Sequence, residues 1–428
     1  MIKMIFTQIW NKRRSNGWLF VELLLVFCLL WYIVDFFFVL EYNRALPSCR
    51  DINHTWCVTM AELPSTHAEY IAAESDSLAK EANFDRVLDR IRNFKGVESM
   101  ALITTCSSPG GGGYCGMGVT STRDTSRTAS GMNLVFDPRT DYFKVFRITC
   151  TDGRQVTAKD FDWADPKAIV LSRLNEMALS PGKSAVGMHL GFGNGSPDEL
   201  DKYIVKGVVG DVKRFDYLRP QGVFYSAQHL PDGEIAVRSN ASISDKQFFQ
   251  SFKPAMEKEL RIGNYYLVSI KSYKQLAAET DKQFGMDNVL NILTAMMLFF
   301  LVNIMLCVMG TFWYRIRVRR EEIGLRMAMG STHAGIRTLL FMEGLALLAL
   351  VVLPAMFIEF QFVHAGMIDT LGKQDNDMVV YLTDRTGLRF LITNAITWLI
   401  LSVSILLAIA VPANKASKMA PADALHYE

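Results

Sequence analysis

Four long apolar runs dominate the chain, at roughly residues 18–40, 289–314, 339–363 and 390–413. At 1.5 Å of helical rise per residue, each can cross a hydrocarbon core about 30 Å thick. The pattern between the first two runs is different. Phe84, Val87, Leu88 and Ile91 recur at i, i+3, i+4, i+7 and predict a helix over 83–94, followed by a strand at 97–105. Further on, 203–209 is strand-like, 244–260 helical, 265–269 a strand and 272–284 helical again. Helix-to-strand units at both ends of one segment predict a split βαβ arrangement with an inserted middle part. Before the first run, Ile2, Ile5, Phe6, Ile9 and Trp10 alternate with Lys3, Gln8, Lys12 and Arg13, the pattern of an amphipathic helix lying on a membrane surface. The first run is too long for the apolar region of a signal peptide and reads as an uncleaved anchor.

Charge orients these elements. Lys3, Lys12, Arg13 and Arg14 precede the first run, and Arg315, Arg317, Arg319, Arg320, Arg326 and Arg337 follow the second. Asp369, Asp375, Asp377 and Asp384 lie between the third and fourth, and Lys415 and Lys418 come after the last. Basic loops stay in the cytoplasm. The expected division is therefore 1–17 inside, 18–40 spanning, 41–288 outside, 289–314 spanning, 315–338 inside, 339–363 spanning, 364–389 outside, 390–413 spanning and 414–428 inside. A net charge of +2 decides nothing by itself, and no nucleic-acid partner is expected.

Little in the chain suggests catalysis. Gly182-Lys183-Ser184 lacks the glycine that a phosphate loop needs five positions earlier, where Met177 stands. Gly191–Gly195 lacks the context of a dinucleotide fingerprint, and Gly110–Gly113 with Gly116 and Gly118 reads as a flexible loop. Asp160, Asp162 and Asp165 have no glycine or closing glutamate to make a calcium loop. No metal is expected. Of the cysteines, Cys49, Cys57, Cys106, Cys115 and Cys150 fall in the exported segment. There the pairs Cys49–Cys57 and Cys106–Cys115 are the nearest candidates for disulfides, although spacing alone does not settle connectivity. Glu22, Asp35, Glu343 and Glu359 sit within or beside the apolar runs. They are expected near span ends, reaching the headgroup layer rather than paying the roughly 2.5–3.5 kcal/mol of a lipid-facing charge at the bilayer centre.

The most informative stretch is 315–330, a basic segment whose Ile323, Met327 and Gly330 fall on one side of a short helix suited to docking. Glu322-Ile323-Gly324-Leu325-Arg326-Met327-Ala328-Met329-Gly330 resembles the Glu-Ile-Gly-x-Arg-x-Ala-x-Gly signature of FtsX-like permeases. The close of the chain, Pro412-Ala413, Ala416, Pro421, Ala424-Leu425 and Glu428, is similar to that family's ending. The layout of one span, a large external domain and three more spans resembles the MacB-like (type VII ABC) members, with 289–420 as the permease domain.

The resemblance implies a membrane protein of four transmembrane helices with a MacB-like extracytoplasmic α/β domain, in the inner membrane, with that domain in the periplasm. It implies mechanotransmission: a separate cytoplasmic ABC ATPase holds ATP and Mg, and this chain converts its motion into rearrangement outside. Only 17 residues precede the first run and no phosphate loop is present, so no ATPase activity is expected in this chain. ATPase coupling would fall to Arg319, Arg320, Glu321, Glu322, Ile323, Gly324, Arg326, Met327, Met329 and Gly330, with Ile323 and Met327 filling an apolar groove on the ATPase. A second permease chain, identical or related, would pair through Phe27, Leu30, Ala295, Leu298 and Val302. A periplasmic adaptor and an outer-membrane channel are further implied partners. Efflux or extraction of a drug, peptide or lipid-like substrate is the favoured activity, and a ligand-sensing signalling protein of the same layout is the alternative.

Overall fold

A computed structural model describes residues 13–192, 202–366 and 386–419. The expected helix over 1–17 up to residue 12, Asn194 and Gly195, the acidic loop from Asp369 to Asp384, and the closing residues from Pro421 on lie outside the described residues. The chain divides into two units, one drawn from 1–42, 287–372 and 381–428, the other from 43–286 and 373–380.

The first unit is helical. Its elements are α1 (Arg13–Ala45) and, after the intervening α2 (Ser77–Arg92), α3 (Tyr142–Val145), α4 (Arg173–Leu179), α5 (Asp245–Glu259) and α6 (Tyr273–Gln283) of the other unit, the helices α7 (Met286–Val318), α8 (Arg320–Ala328), α9 (His333–His364) and α10 (Thr386–Ser417). Four of these, α1, α7, α9 and α10, are long and apolar enough to cross a membrane. They meet around Leu23, Phe27, Leu30, Ile304, Val308, Phe312, Leu348, Val351, Leu401 and Ile405. The four do not share burial equally. Of the most apolar window of each helix, 61% is buried for α1 and 11% for α7. The helix α9 starts at Thr332, whose hydroxyl accepts from the Gly335 N–H at 3.1 Å, and runs unbroken through Pro354.

Without a hydrophobic drive between helices in lipid, close approach of backbones supplies the packing energy. Gly344 provides it where α9 meets α10. A Cβ there would collide with Ile409 and stand 3.0 Å from the Ile405 Cγ2. Gly344→Val is therefore expected to part the two helices and cost about 1–3 kcal/mol. A lowered unfolding midpoint of the purified chain in lipid nanodiscs checks this, and an unchanged midpoint contradicts the close contact.

The second unit is built on β-strands. In chain order they are β1 (Thr55–Glu62), β2 (Val97–Ile103), β3 (Gly116–Ser121), β4 (Thr128–Phe136), β5 (Ala168–Ser172), β6 (His189–Phe192), β7 (Tyr203–Val209), β8 (Val212–Lys213), β9 (Pro220–Gln221), β10 (Val223–Ala227), β11 (Glu234–Ser239) and β12 (Tyr265–Ser272). Strands β2-β11-β1-β12 form an antiparallel sheet in that order, with β1-α2-β2 and β11-α5-β12 as its halves. This is the split βαβ arrangement expected from the sequence. Its helices form where the apolar spacing puts them. Asp76 caps α2 by accepting from the Ala79 N–H, and Phe84, Val87, Leu88 and Ile91 face the sheet. Ser244 caps α5 in the same way, and Phe248, Phe252 and Met256 pack with them on Trp56, Met100 and Val237.

Residues 104–233 make the inserted part. Strand β4 carries β10 on one edge, in parallel, and β3 on the other. The pairings β10–β5, β5–β7, β7–β6 and β6–β3 complete a closed ring of six strands. Met117, Val119, Ala129, Ile169, Leu171, Leu190, Val205 and Phe224, with at least one from each strand of the ring, form one core. Closure removes the exposed edges that would otherwise pair with other chains. A second core, with Phe136, Tyr142, Phe143, Phe146, Val170 and Tyr225, joins the ring to the face of the sheet carrying Cys57, Ala101 and Ala236. The insertion leaves β2 and re-enters β11 at facing residues, since Ile103 stands opposite Glu234.

Two readings of this segment change. Gly116 and Gly118 belong to β3 rather than to a flexible loop, and the turn before them is closed by a Cys106–Cys115 disulfide. Cys49 and Cys57 are free thiols, with Cys57 buried in β1 and its Sγ 2.8 Å from a Glu234 carboxylate oxygen. That carboxylate, after burial itself, pushes the Cys57 thiol well above its ordinary range. The acidic residues near Trp163 also have local roles. Asp160 accepts from the Thr157 N–H, while Asp162 and Asp165 sit 3.4 and 3.3 Å from the Lys206 ammonium.

Candidate coupling site

The helix α8 is a two-turn element whose ends are set by local chemistry. It begins after Arg319 and closes at Gly330, whose φ of +97° is the left-handed conformation that favours glycine. The Ser331 N–H returns to the Arg326 carbonyl and the Gly330 N–H to the Met327 carbonyl, both at 3.0 Å. That pair of bonds satisfies carbonyls the helix would otherwise leave open.

Ion pairs then hold α8 against its neighbours. Glu343, about three turns into α9 and only 9% exposed at its side chain, accepts from Arg315 of α7 at 3.1 Å and from Arg319 at 2.9 Å. Arg319 also pairs with Glu322 at 2.9 Å, and Glu322 with Arg326 at 2.7 Å, one turn on. Arg320 donates to the Met419 sulfur at 3.0 Å, and Arg337 to Asn414 at 3.2 Å, so the end of α10 is drawn in as well. A charge inside an apolar helix is tolerated when paired and turned toward the protein. Glu343 meets both conditions by bridging two guanidiniums instead of reaching for the headgroup layer.

The ten residues singled out from the sequence divide sharply. Ile323 is 5% exposed and joins Ile336, Leu339 and Leu340 in the helical core, Gly324 is buried beside it, and Met327 packs against the same core. Ile323 and Met327 thus share one face, but that face is spent within the chain, which corrects the expectation that they fill a groove on a partner. The outward apolar groups are Leu325, 52% exposed, and Met329, 76% exposed, with Glu321 and Gly330 also at the surface. The spacing i, i+4 of Leu325 and Met329 makes them neighbours on one outward stripe. Leu325, Arg315 and Glu343 were not among those ten; a carboxylate about one turn into an apolar run that follows an arginine cluster was the available signal for the last.

The residues proposed to pair two chains separate in the same way. Phe27 and Leu30 are fully buried in the helical core, so they cannot present a surface. Ala295 is exposed, and Leu298 and Val302 are 56% and 54% exposed on α7.

The other unit holds a cleft of about 830 Å³ at one end of the β-ring, where Asn133, Val135, Tyr203 and Ser226 lie with Trp163, Lys167, Lys202 and His229. Among the described residues no three His, Cys, Asp or Glu side chains gather as a metal site.

No family model and no curated protein matches the sequence. Three solved structures are similar in chain course at low identity. The periplasmic region of MacB from Actinobacillus actinomycetemcomitans shares 12% identity over 54% of this chain and 94% of that one, with a TM-score of 0.32. The extracellular domain of the noncanonic ABC-type transporter YknZ from Gram-positive bacteria shares 13% over 50% of this chain and 100% of its own, with a TM-score of 0.30. A domain of a permease protein from Porphyromonas gingivalis shares 13% over 53% of this chain and 97% of that one, with a TM-score of 0.27.

Proposed function

We propose that this chain is the permease subunit of an ABC transporter, and that α8 transmits the motion of a separate cytoplasmic ATPase. The observation that carries the reading is the fixing of a short helix to α7 and α9 through Glu343, with Leu325 and Met329 left outward. A lever needs a rigid attachment on one side and a contact on the other, and α8 has the attachment and an outward apolar stripe that suits the contact. It also coincides with the residues that resemble the FtsX-like signature. The arginine-rich surroundings favour the cytoplasmic side for α8, and with it the outside, the periplasm, for the unit of 43–286. ATP and Mg belong to the partner. Two such chains, identical or related, would serve an ATPase pair, meeting through the outward face of α7 at Ala295, Leu298 and Val302. The cleft at the end of the β-ring is where an exported drug, peptide or lipid-like molecule would be engaged.

An anchor seated in a desolvated pocket commonly costs 2 kcal/mol or more when lost, which is roughly thirtyfold in affinity. Leu325→Asp and Met329→Asp are therefore each expected to weaken association with the cognate ABC ATPase by that factor or more, leaving the purified chain folded. Titration of the ATPase onto the full chain in nanodiscs, with ATP turnover as a second readout, tests this. Equal binding by the variants would contradict docking through α8, and absence of binding by the unmodified chain to any ABC ATPase would contradict the permease reading.

A further inference from the structure

A second polar cluster lies inside the helical unit, among α1, α9 and α10. Asp35 of α1 is 1% exposed and is paired with Arg389 of α10, whose Nε donates to its Oδ1 at 2.8 Å and whose Nη2 donates to its Oδ2. One turn away the Trp31 indole N–H donates to the Thr393 hydroxyl at 2.9 Å. These three hydrogen bonds tie α1 to α10. Facing them from α9 is Glu359, also 1% exposed, and no hydrogen bond of normal geometry reaches either of its carboxylate oxygens.

Next to Glu359 is Asn394 of α10, whose amide is the nearest hydrogen-bonding group to the carboxylate. Its amide N–H donates to the Phe390 carbonyl at 3.0 Å, and its Oδ1 has no donor. The charged or titratable groups that face Glu359 are Asp35 and Cys28 from α1 and, through its pair with Asp35, Arg389 from α10. On α9 itself, His364 is occupied in stacking on Phe360. Three buried oxygens, Glu359 Oε1 and Oε2 and Asn394 Oδ1, are thus all acceptors, and the single nearby guanidinium is already engaged in a bidentate pair.

Buried polar atoms in native proteins are almost always satisfied, and an unpaired carboxylate among apolar helices is far costlier than a neutral acid. What this cluster lacks is a donor for Asn394 Oδ1 and a partner for the carboxylate charge. We propose that Glu359 is a proton-binding site in the interior of the bundle, with the protonated carboxyl donating to Asn394 Oδ1. One proton satisfies the amide oxygen and removes the uncompensated charge. Its departure leaves a second carboxylate facing the Asp35–Arg389 pair, so that α9 competes with α1 for the Arg389 guanidinium. The occupancy of Glu359 therefore sets how firmly α10 is tied to α1.

Infrared spectroscopy of the full chain in lipid nanodiscs tests the assignment directly. A carbonyl band of a protonated carboxylic acid is expected at neutral pH, lost on alkaline titration, absent from Glu359→Gln and shifted in Glu359→Asp. The unfolding midpoint of the unmodified chain should fall as the pH rises from the ordinary carboxyl range to that of the band's loss and then level off, and that of Glu359→Gln, whose amide can still donate to Asn394, should not show that fall. Absence of the band at neutral pH overturns the proposal, as does its persistence in Glu359→Gln. Sodium-dependent stabilisation without a protonated-acid band also overturns it, by assigning the acceptors to a metal cation. Should Glu359→Gln fail to fold, the shifted band in Glu359→Asp still decides.

Discussion

Glu343→Ala is expected to unfasten α8. The carboxylate bridges Arg315 and Arg319, all three side chains being at most 10% exposed, and so joins the end of α7, the start of α8 and the body of α9. Removing one member of a buried ion-pair set costs about 3–5 kcal/mol, because the remaining charges lose compensation they cannot recover from water. The lower end applies here, since Arg319 keeps Glu322. The unfolding midpoint in nanodiscs should fall accordingly, and under the proposed function ATP turnover by an ABC ATPase should uncouple from this chain even where the two still bind. Glu343→Gln, which keeps an acceptor oxygen for one arginine, should fall between. Unchanged stability in the alanine variant would show that the bridge is not formed in the membrane.

The second large effect is expected at Ile323. Its side chain lies against Ile336, Leu339 and Leu340, so Ile323→Asp both removes a buried aliphatic group and introduces a charge with no partner prepared for it. The sum is at least about 4 kcal/mol. The variant is expected to misfold or to be degraded before assembly, whereas Leu325→Asp, two residues away and outward, is expected to fold and fail to dock. Expression and size-exclusion behaviour in detergent separate the two outcomes. A well-folded Ile323→Asp chain that has lost only the ATPase would restore Ile323 to the contact surface.

The contrast between Ile323 and Leu325 shows where sequence reasoning stops. Helical periodicity puts Ile323 and Met327 on one side, and the structure agrees, but periodicity does not say whether that side faces the chain's own core or a partner. The same limit applies to the spans. The apolar runs were legible from length, yet Phe27 and Leu298 look alike in sequence because lipid and protein interiors are equally apolar. In the other unit, the amphipathic helices containing Phe84 and Phe248 announced the βαβ halves. The β-ring did not announce itself: β6 covers only His189–Phe192, and closure depends on the parallel pairing of β4 with β10, to which no local pattern points. Glu343 and Glu359 were visible as carboxylates within apolar runs, and both were assigned to the headgroup layer because a distant partner, or its absence, cannot be read from spacing.

The junction of the insertion has its own consequence. Because Ile103 and Glu234 face each other across neighbouring antiparallel strands, the frame of β1, β2, β11 and β12 meets the inserted ring as it would meet a hairpin turn. Loop insertions at such points cost little, since closure entropy grows only as the logarithm of length. The ring can therefore be shortened, enlarged or exchanged over evolutionary time while the frame keeps its register.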